Sequence, residues 1–197
     1  MRLSLATDTR RDLLITQIRR DGGTQARVGN HEETVAAYTT EMQEGRWQWH
    51  PGNALVVFSD PTGVFWLADG FHRLEAAQRA GELSVPCDVR PGGQRDAVLH
   101  ACGSNANHGL RRSRDDVRRA IDILLRDPEW GQWSDRELAR RVGCNHMTVG
   151  TVRQSLVSGG EISHLTERKG ADGKTYPQGV AHRALSVQVG QIAERTV

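Results

Sequence analysis

Trp133-Ser-Asp-Arg-Glu-Leu-Ala-Arg-Arg-Val-Gly-Cys-Asn-His-Met-Thr-Val-Gly-Thr-Val-Arg153 is the stretch on which the reading of this chain turns. Ser134 predicts a helix cap, and Glu137, three residues on, has the spacing of a capping box. A helix over 135–142 follows, with Leu138 and Val142 on its inner face. Ala139 is small enough for a second helix to cross closely. Gly143 comes four residues later, where a tight turn between helices favours a positive φ. The second helix runs over 145–158. Val149, six residues after Gly143, plugs the joint, and Val152 extends the shared core. Small residue, turn glycine and plug at these intervals have the form of a DNA-binding helix-turn-helix.

The polar residues outside that apolar stripe would be the readers. Asn145, His146, Met147, Thr148, Thr151 and Gln154 are expected at base edges in the major groove of double-stranded DNA. Arg153 and the pairs Arg140-Arg141 and Arg111-Arg112 are expected on phosphates. A plain helical hairpin with a solvated charged face is the simpler alternative. The cap, the turn and two apolar faces together favour DNA.

Upstream, 113–126 reads as an amphipathic helix with Val117, Ile121, Leu124 and Leu125 on one face. Ser113 and Asp116 have capping-box spacing, and Asp127-Pro128 ends the helix. Trp130 and Trp133 flank Gly131 and are expected to pack the base of the helix pair rather than anchor a partner. Downstream, the polar, Gly-rich stretch from Gly159 to Pro177 predicts little regular structure. A weak helix is expected over 181–194.

The first half of the chain mixes element types. Strands are expected over 13–18, 54–59, 64–68 and 85–89, with Asp60-Pro-Thr-Gly63 closing a hairpin between the middle two. Helices are expected over 32–45, 71–80 and 95–105. This predicts an α+β fold: a small mixed domain over 1–108, a helical domain over 109–160, and a polar, weakly structured tail over 161–197.

A second feature lies in Trp66-Leu-Ala-Asp-Gly-Phe-His-Arg-Leu-Glu-Ala-Ala77. A strand runs into Asp69-Gly70 and a helix starts at once. The free N–H groups of that helix end, together with His72 and Arg73, would form a phosphate cradle. An ion-paired surface role for Arg73 is equally compatible with this turn alone.

The order of motifs adds to this. Gly23-Thr-Gln-Ala-Arg27, Gly70-Phe-His-Arg73 with Ala77, Gly103-Ser-Asn-Ala-Asn107 and then the helix pair resemble the ParB/sulfiredoxin-like superfamily, most closely ParB-type DNA-binding proteins, over about residues 13–157. The resemblance implies a ParB-like N-terminal fold followed by a helix-turn-helix. It also implies a pocket for CTP, or ATP, with Mg, in which Gly70, His72 and Arg73 contact phosphate, Gln25 and Arg27 line the rim, and Asn105 is the family asparagine. Ser104 stands where the family has glutamate and His108 where it has arginine. Without an obvious long C-terminal coiled coil, a regulator, often of plasmid or phage type, is the more comfortable expectation, and a plasmid or phage partition role stays open beside it. A homodimer on a palindromic site is expected, since one such motif covers little DNA.

Enzyme readings are weaker. Sulfiredoxin chemistry needs a cysteine in the turn, and Phe71 stands there. A small-molecule or nucleotide-dependent phosphotransferase or NTPase would need a carboxylate near the turn. Asp69 and Glu75 are available, but a small-molecule kinase has no use for a helix-turn-helix. Asp21 and Asp96 read as turn and cap residues. No catalytic set is therefore assigned. Three cysteines without CxxC spacing and eight scattered histidines indicate neither a disulfide framework nor a metal site.

The 197 residues carry 26 basic and 24 acidic side chains, a net charge of +2. That balance conceals a partition: net −2 over 1–108, +3 over 109–156 and +1 over 157–197. Nucleic acid is compatible with the basic middle segment, but nonspecific affinity should be modest. No apolar run approaches the roughly 20 residues of a membrane span, and the first 20 residues are too charged for a secretory signal. A cytoplasmic, nucleoid-associated protein is expected.

Overall fold

The computed structural model describes residues 9–26, 29–104 and 112–177. Arg27, Asn105, Asn107, His108, Arg111 and the helix expected over 181–194 lie outside the described residues. The described part is mixed α+β, as the alternation of periodicities requires.

The sheet contains β1 (Arg10–Leu14), β2 (Ile18–Arg19), β3 (Leu55–Ser59), β4 (Phe65–Asp69) and β5 (Ser84–Pro91), in the order β1-β5-β3-β4-β2. β1 and β5 pair antiparallel, as do β3 and β4; the pairs β3–β5 and β2–β4 are parallel. The single strand expected over 13–18 is in fact broken by a 3-10 turn, Ile15–Gln17. The break places β1 and β2 on opposite edges. Four residues separate Leu14 from Ile18, a reach of at most about 14 Å. The edges of a flat five-stranded sheet lie about 19 Å apart. The sheet must therefore curl. The Arg11 guanidinium lies 4.9 Å from the Phe65 ring centroid, and Leu13 and Ile18 both enter the same core.

Two helices cover the sheet core. α1 (Glu32–Gln43) buries Val35 and Met42, and α2 (Phe71–Ala80) buries Leu74, Ala76 and Ala77. Arg79 of α2 bonds Glu32 of α1 and its own Glu75.

α3 (Gln94–Gly103) joins this layer to the rest. Asp96 accepts the Gly93 N–H at 2.8 Å, the cap role expected of it. Its His100 ring lies 5.6 Å from Phe58 of β3, while Val98, Leu99 and Cys102 belong to the helical core.

That second core is made by α4 (Arg114–Arg126), α5 (Asp135–Val142) and α6 (His146–Ser158). Ile121, Leu124, Leu138, Val142 and Val149 are fully buried in it. Ser113 and Asp116 form the expected capping box of α4, with Asp116 N–H to Ser113 Oγ at 3.0 Å and Ser113 N–H to Asp116 Oδ2 at 2.9 Å. Trp130 is buried and Trp133 half-buried against this core, so both pack inward.

The stretch after α6 departs from the irregular tail expected over 161–177. β6 (Glu167–Lys169) and β7 (Thr175–Pro177) form an antiparallel hairpin. Asp172-Gly173 between two short polar strands supplies the turn, with Gly173 at φ 76°.

At the joint, the C-terminal ends of α3 and α5 meet closely. A Cβ at Gly103 would stand 2.6 Å from the Arg141 carbonyl oxygen. Arg112 donates to Cys102 O at 3.0 Å and to Val142 O at 2.6 Å, serving the orphan carbonyls of both helix ends. Gly103→Ala should force these two backbones apart and lower stability by about 1–3 kcal/mol. The urea unfolding midpoint measures it.

Candidate nucleic-acid interface and the Gly70 turn

The pair α5 and α6 is joined by Gly143, Cys144 and Asn145. Gly143 has φ 71°, and both its N–H and that of Cys144 donate to the Ala139 carbonyl, at 2.8 and 3.0 Å. Asn145 caps α6 by accepting the Met147 N–H at 2.8 Å. Its side-chain oxygen is therefore engaged in starting the helix. His146, Met147, Thr148, Thr151 and Gln154 are all exposed, with Met147 at 70 %. The Thr151 hydroxyl donates back to Met147 O at 3.0 Å. This leaves a nearly neutral face on the first turns of α6, one side of which is thioether and methyl.

The arginines expected on phosphates divide. Arg153 is buried, which corrects its assignment to the DNA backbone. Its Nε donates to Asp135 Oδ1, and its two terminal nitrogens donate to Gly131 O and Trp133 O, all at 2.8 Å. Burial works against this charge and Asp135 works for it. Arg112 is likewise committed to the helix ends described above. Arg140 and Arg141 both bond Glu137, whose side chain is only 4 % exposed. The Arg140 hydrogen bonds, followed by those of Arg141, outweigh burial and hold the Glu137 carboxyl below its usual range. The expected capping box at Ser134 is thus half formed. Ser134 Oγ accepts the Glu137 N–H at 3.2 Å, but the Glu137 side chain is spent on the arginines. Arg140 keeps a 61 % exposed side chain. Sequence spacing could have shown the sharing, since arginines at i+3 and i+4 from a glutamate lie on one helix face.

The structure adds cations that the sequence reading passed over. Arg136, Lys169 and Lys174 are exposed, and their charged ends form no ion pair among the described residues.

In the Gly70 turn, Gly70 has φ 99° and begins α2 without a side-chain cap. A Cβ there would meet Leu55 Cδ2 at 2.4 Å. Arg73 points inward. It donates to Asn53 O, to Ala54 O at 3.2 Å and to Asp69 Oδ2 at 3.2 Å. His72 Nε2 accepts the His31 N–H at 2.9 Å. Gln25 bonds Asn30 through its amide and receives Arg119 on its carbonyl. A cavity of about 560 Å³ opens beside the turn, lined by Phe58, Asp69, Asp96, Leu99, His100, Gly103, Ser104 and Arg141. Burial, then the Arg90 charge, holds the His100 pKa below its usual value.

The uncapped helix end suits the phosphate half of the nucleotide expectation. The cationic half does not fit this arrangement. Arg73 is occupied, Arg141 is shared with Glu137, and the cavity wall carries two carboxylates. The phosphotransferase alternative meets a similar difficulty at Glu75. Burial works upward there, but Arg20 and Arg79 outweigh it and hold the carboxyl below its usual range, which makes a poor base. Among the described residues no group of acids, histidines and cysteines is arranged to hold a metal. No described helix is long and apolar enough to cross a membrane.

Arg153→Ala should lower stability by about 3 kcal/mol, because Asp135 and two carbonyls lose their buried partner. A thermal or urea melt without DNA reads this, and a phosphate-contacting arginine would leave that melt unchanged. In comparisons with known proteins, no family model matches the chain. It is 35 % identical over 147 residues to the streptomycin biosynthesis operon possible regulatory protein of Streptomyces griseus, covering 75 % of this chain and 37 % of that protein. It is 33 % identical over 115 residues to the transcriptional regulator NovG of Streptomyces niveus, covering 58 % of this chain and 34 % of that one. The chain thus spans about a third of the length of these curated relatives. Among solved structures it is similar to the C-terminally truncated chromosome-partitioning protein ParB of Caulobacter crescentus complexed to the centromeric parS site. That likeness has a TM-score of 0.49 and 21 % identity over 78 % of this chain and 80 % of the other.

Proposed function

We propose that this chain acts as a ParB-like, DNA-reading transcriptional regulator, and that it binds a palindromic operator as a homodimer. The observation that carries the reading is the exposed face of α6 from His146 to Gln154. A buried stripe of Val149, Val152 and Leu156 fixes the helix on the α4–α5 core, while His146, Met147, Thr148, Thr151 and Gln154 face outward. The αL turn at Gly143 sets the crossing, as a helix-turn-helix requires. The regulator names of two relatives that match 75 % and 58 % of the chain agree with it.

Each residue then has a chemical role. Gln154 is suited to the N6 and N7 atoms of adenine, Thr148 to a base edge by hydrogen bond, and Met147 to a thymine methyl. Arg136 and the free side of Arg140 supply phosphate contacts. With a net charge of only +3 over 109–156, affinity depends on dimerisation and base contacts more than on bulk charge.

A duplex enriched from a random library should bind specifically at about 0.15 M salt, while a scrambled duplex dissociates. Thr148→Ala with Gln154→Ala should narrow that gap by about 1–3 kcal/mol per lost base contact. Equal, weak binding of both duplexes in a gel-shift titration at low salt would sink the reading.

A nucleotide switch of the CTP kind is a separate matter. It is favoured by the uncapped start of α2 and opposed by the inward Arg73. Calorimetric titration of CTP and ATP, each with Mg, is expected to give no saturable heat. Saturation by the wild type that is lost in Arg73→Ala would reverse that expectation and leave the DNA reading untouched.

A further inference from the structure

The hairpin that follows α6 is anchored through Arg168 and Lys169, the residues that lead into its turn. The Ser134 N–H donates to Lys169 O at 2.8 Å, and Trp133 bridges Lys169 in parallel. Arg168 donates to Asp135 Oδ2 at 2.8 Å, and the other oxygen of that carboxylate receives Arg153 of α6. One acid therefore ties together the hairpin, the start of α5 and the middle of α6. All seven residues from Ala171 to Pro177 are exposed.

A two-stranded hairpin is marginal by itself, and this one buries almost nothing. Tyr176, its one aromatic, is 48 % exposed. Core formation does not explain why the chain fixes it so firmly. Its turn has a different character. Gly170, Ala171, Asp172 and Gly173 make a slim tip. Lys169 and Lys174 flank it, and the Gly170 N–H donates to Lys174 O at 2.8 Å. Lys169 pairs with Thr175, so Lys169 and Lys174 lie on opposite faces of the hairpin. Neither ammonium pairs with an acid among the described residues. The Asp172 carboxylate is turned onto the Lys174 N–H and the Tyr176 hydroxyl, at 3.1 and 2.6 Å. Glu167 lies at the open end of the strands, opposite Pro177.

We propose that this hairpin is a second DNA contact, a wing, in which Lys169 and Lys174 hold phosphates beside the groove that α6 enters. The inference rests on the reading of α6 as the DNA-contacting helix and adds an element to it. The Asp135 network fixes the hairpin relative to that helix, so a joint contact with one duplex would carry no further ordering cost. A lysine on phosphate contributes affinity without sequence information.

The test uses the full chain and a duplex enriched from a random library by the wild type, with a scrambled duplex beside it. Lys169→Gln with Lys174→Gln should weaken both duplexes by the same factor, about tenfold, at a salt concentration low enough for the wild type to hold both, and reduce the slope of log K against log salt by about two. An iron chelate on Lys174→Cys in a Cys144→Ser background should cut the enriched duplex at the flank of the α6 site, with the Cys144→Ser chain alone as the uncut control. Wild-type affinity and slope in the double variant, or no cleavage from the chelate, would make the hairpin a brace and overturn the wing. Thr148→Ala with Gln154→Ala separates the two readings. If that variant loses discrimination while the hairpin variant binds normally, the wing falls and the reading helix stands. If the wild type itself does not discriminate, both fall. A melt of each variant confirms that these exposed substitutions leave the fold intact.

Discussion

The buried guanidinium of Arg153 is the constraint around which the helical half is organised. It takes one oxygen of Asp135 and the carbonyls of Gly131 and Trp133, while Arg168 takes the other oxygen of Asp135. The loop between α4 and α5, the start of α5, the middle of α6 and the hairpin thus converge on a single charge. A buried ion pair adds little net stability over an apolar replacement, but removing one member leaves the other exposed to a low-dielectric interior. The arrangement is therefore stringent about geometry. It allows one disposition of α6 relative to α5 and one seat for the hairpin.

The same stringency recurs at the joint between the two cores. α3 turns one side to Phe58 and the sheet, and gives Val98, Leu99 and Cys102 to the helices. Its last residue, Gly103, lets the backbone of α5 approach, and Arg112 bonds the ends of both helices. The cavity beside the Gly70 turn is lined from both sides of this joint, by Asp69 of β4 and Arg141 of α5. Whatever moves the turn must therefore work against packed backbone rather than a loose linker. Burial at the joint also pushes the Cys102 thiol up to about 12, so it behaves as an inert apolar side chain.

Most local signals in the sequence were faithful, the half-formed box of Ser134 and Glu137 being an exception that two neighbouring arginines explain. Ser113 with Asp116, Gly143, and the run from Phe71 to Ala80 closed by Gly81 each appear where spacing places them. A cap or a positive φ depends on neighbours a few residues away, and those are visible in the sequence. The strand expected over 13–18 failed because its break serves a long-range need, carrying the chain between opposite edges of a curled sheet. The hairpin after α6 was missed although Asp172-Gly173 signals a turn, since three-residue polar strands carry no apolar alternation.

The sequence by itself determined the α+β composition, the helix pair with its glycine turn, and the outward set from His146 to Gln154. Which arginines are available for a partner was decided only in three dimensions. Arg73, Arg112 and Arg153 look alike in the sequence as mobile surface cations, yet each donates to backbone carbonyls contributed by other elements. The reason is physical: a guanidinium presents five donors on a long stem, and only the folded chain reveals whether protein carbonyls have already filled them.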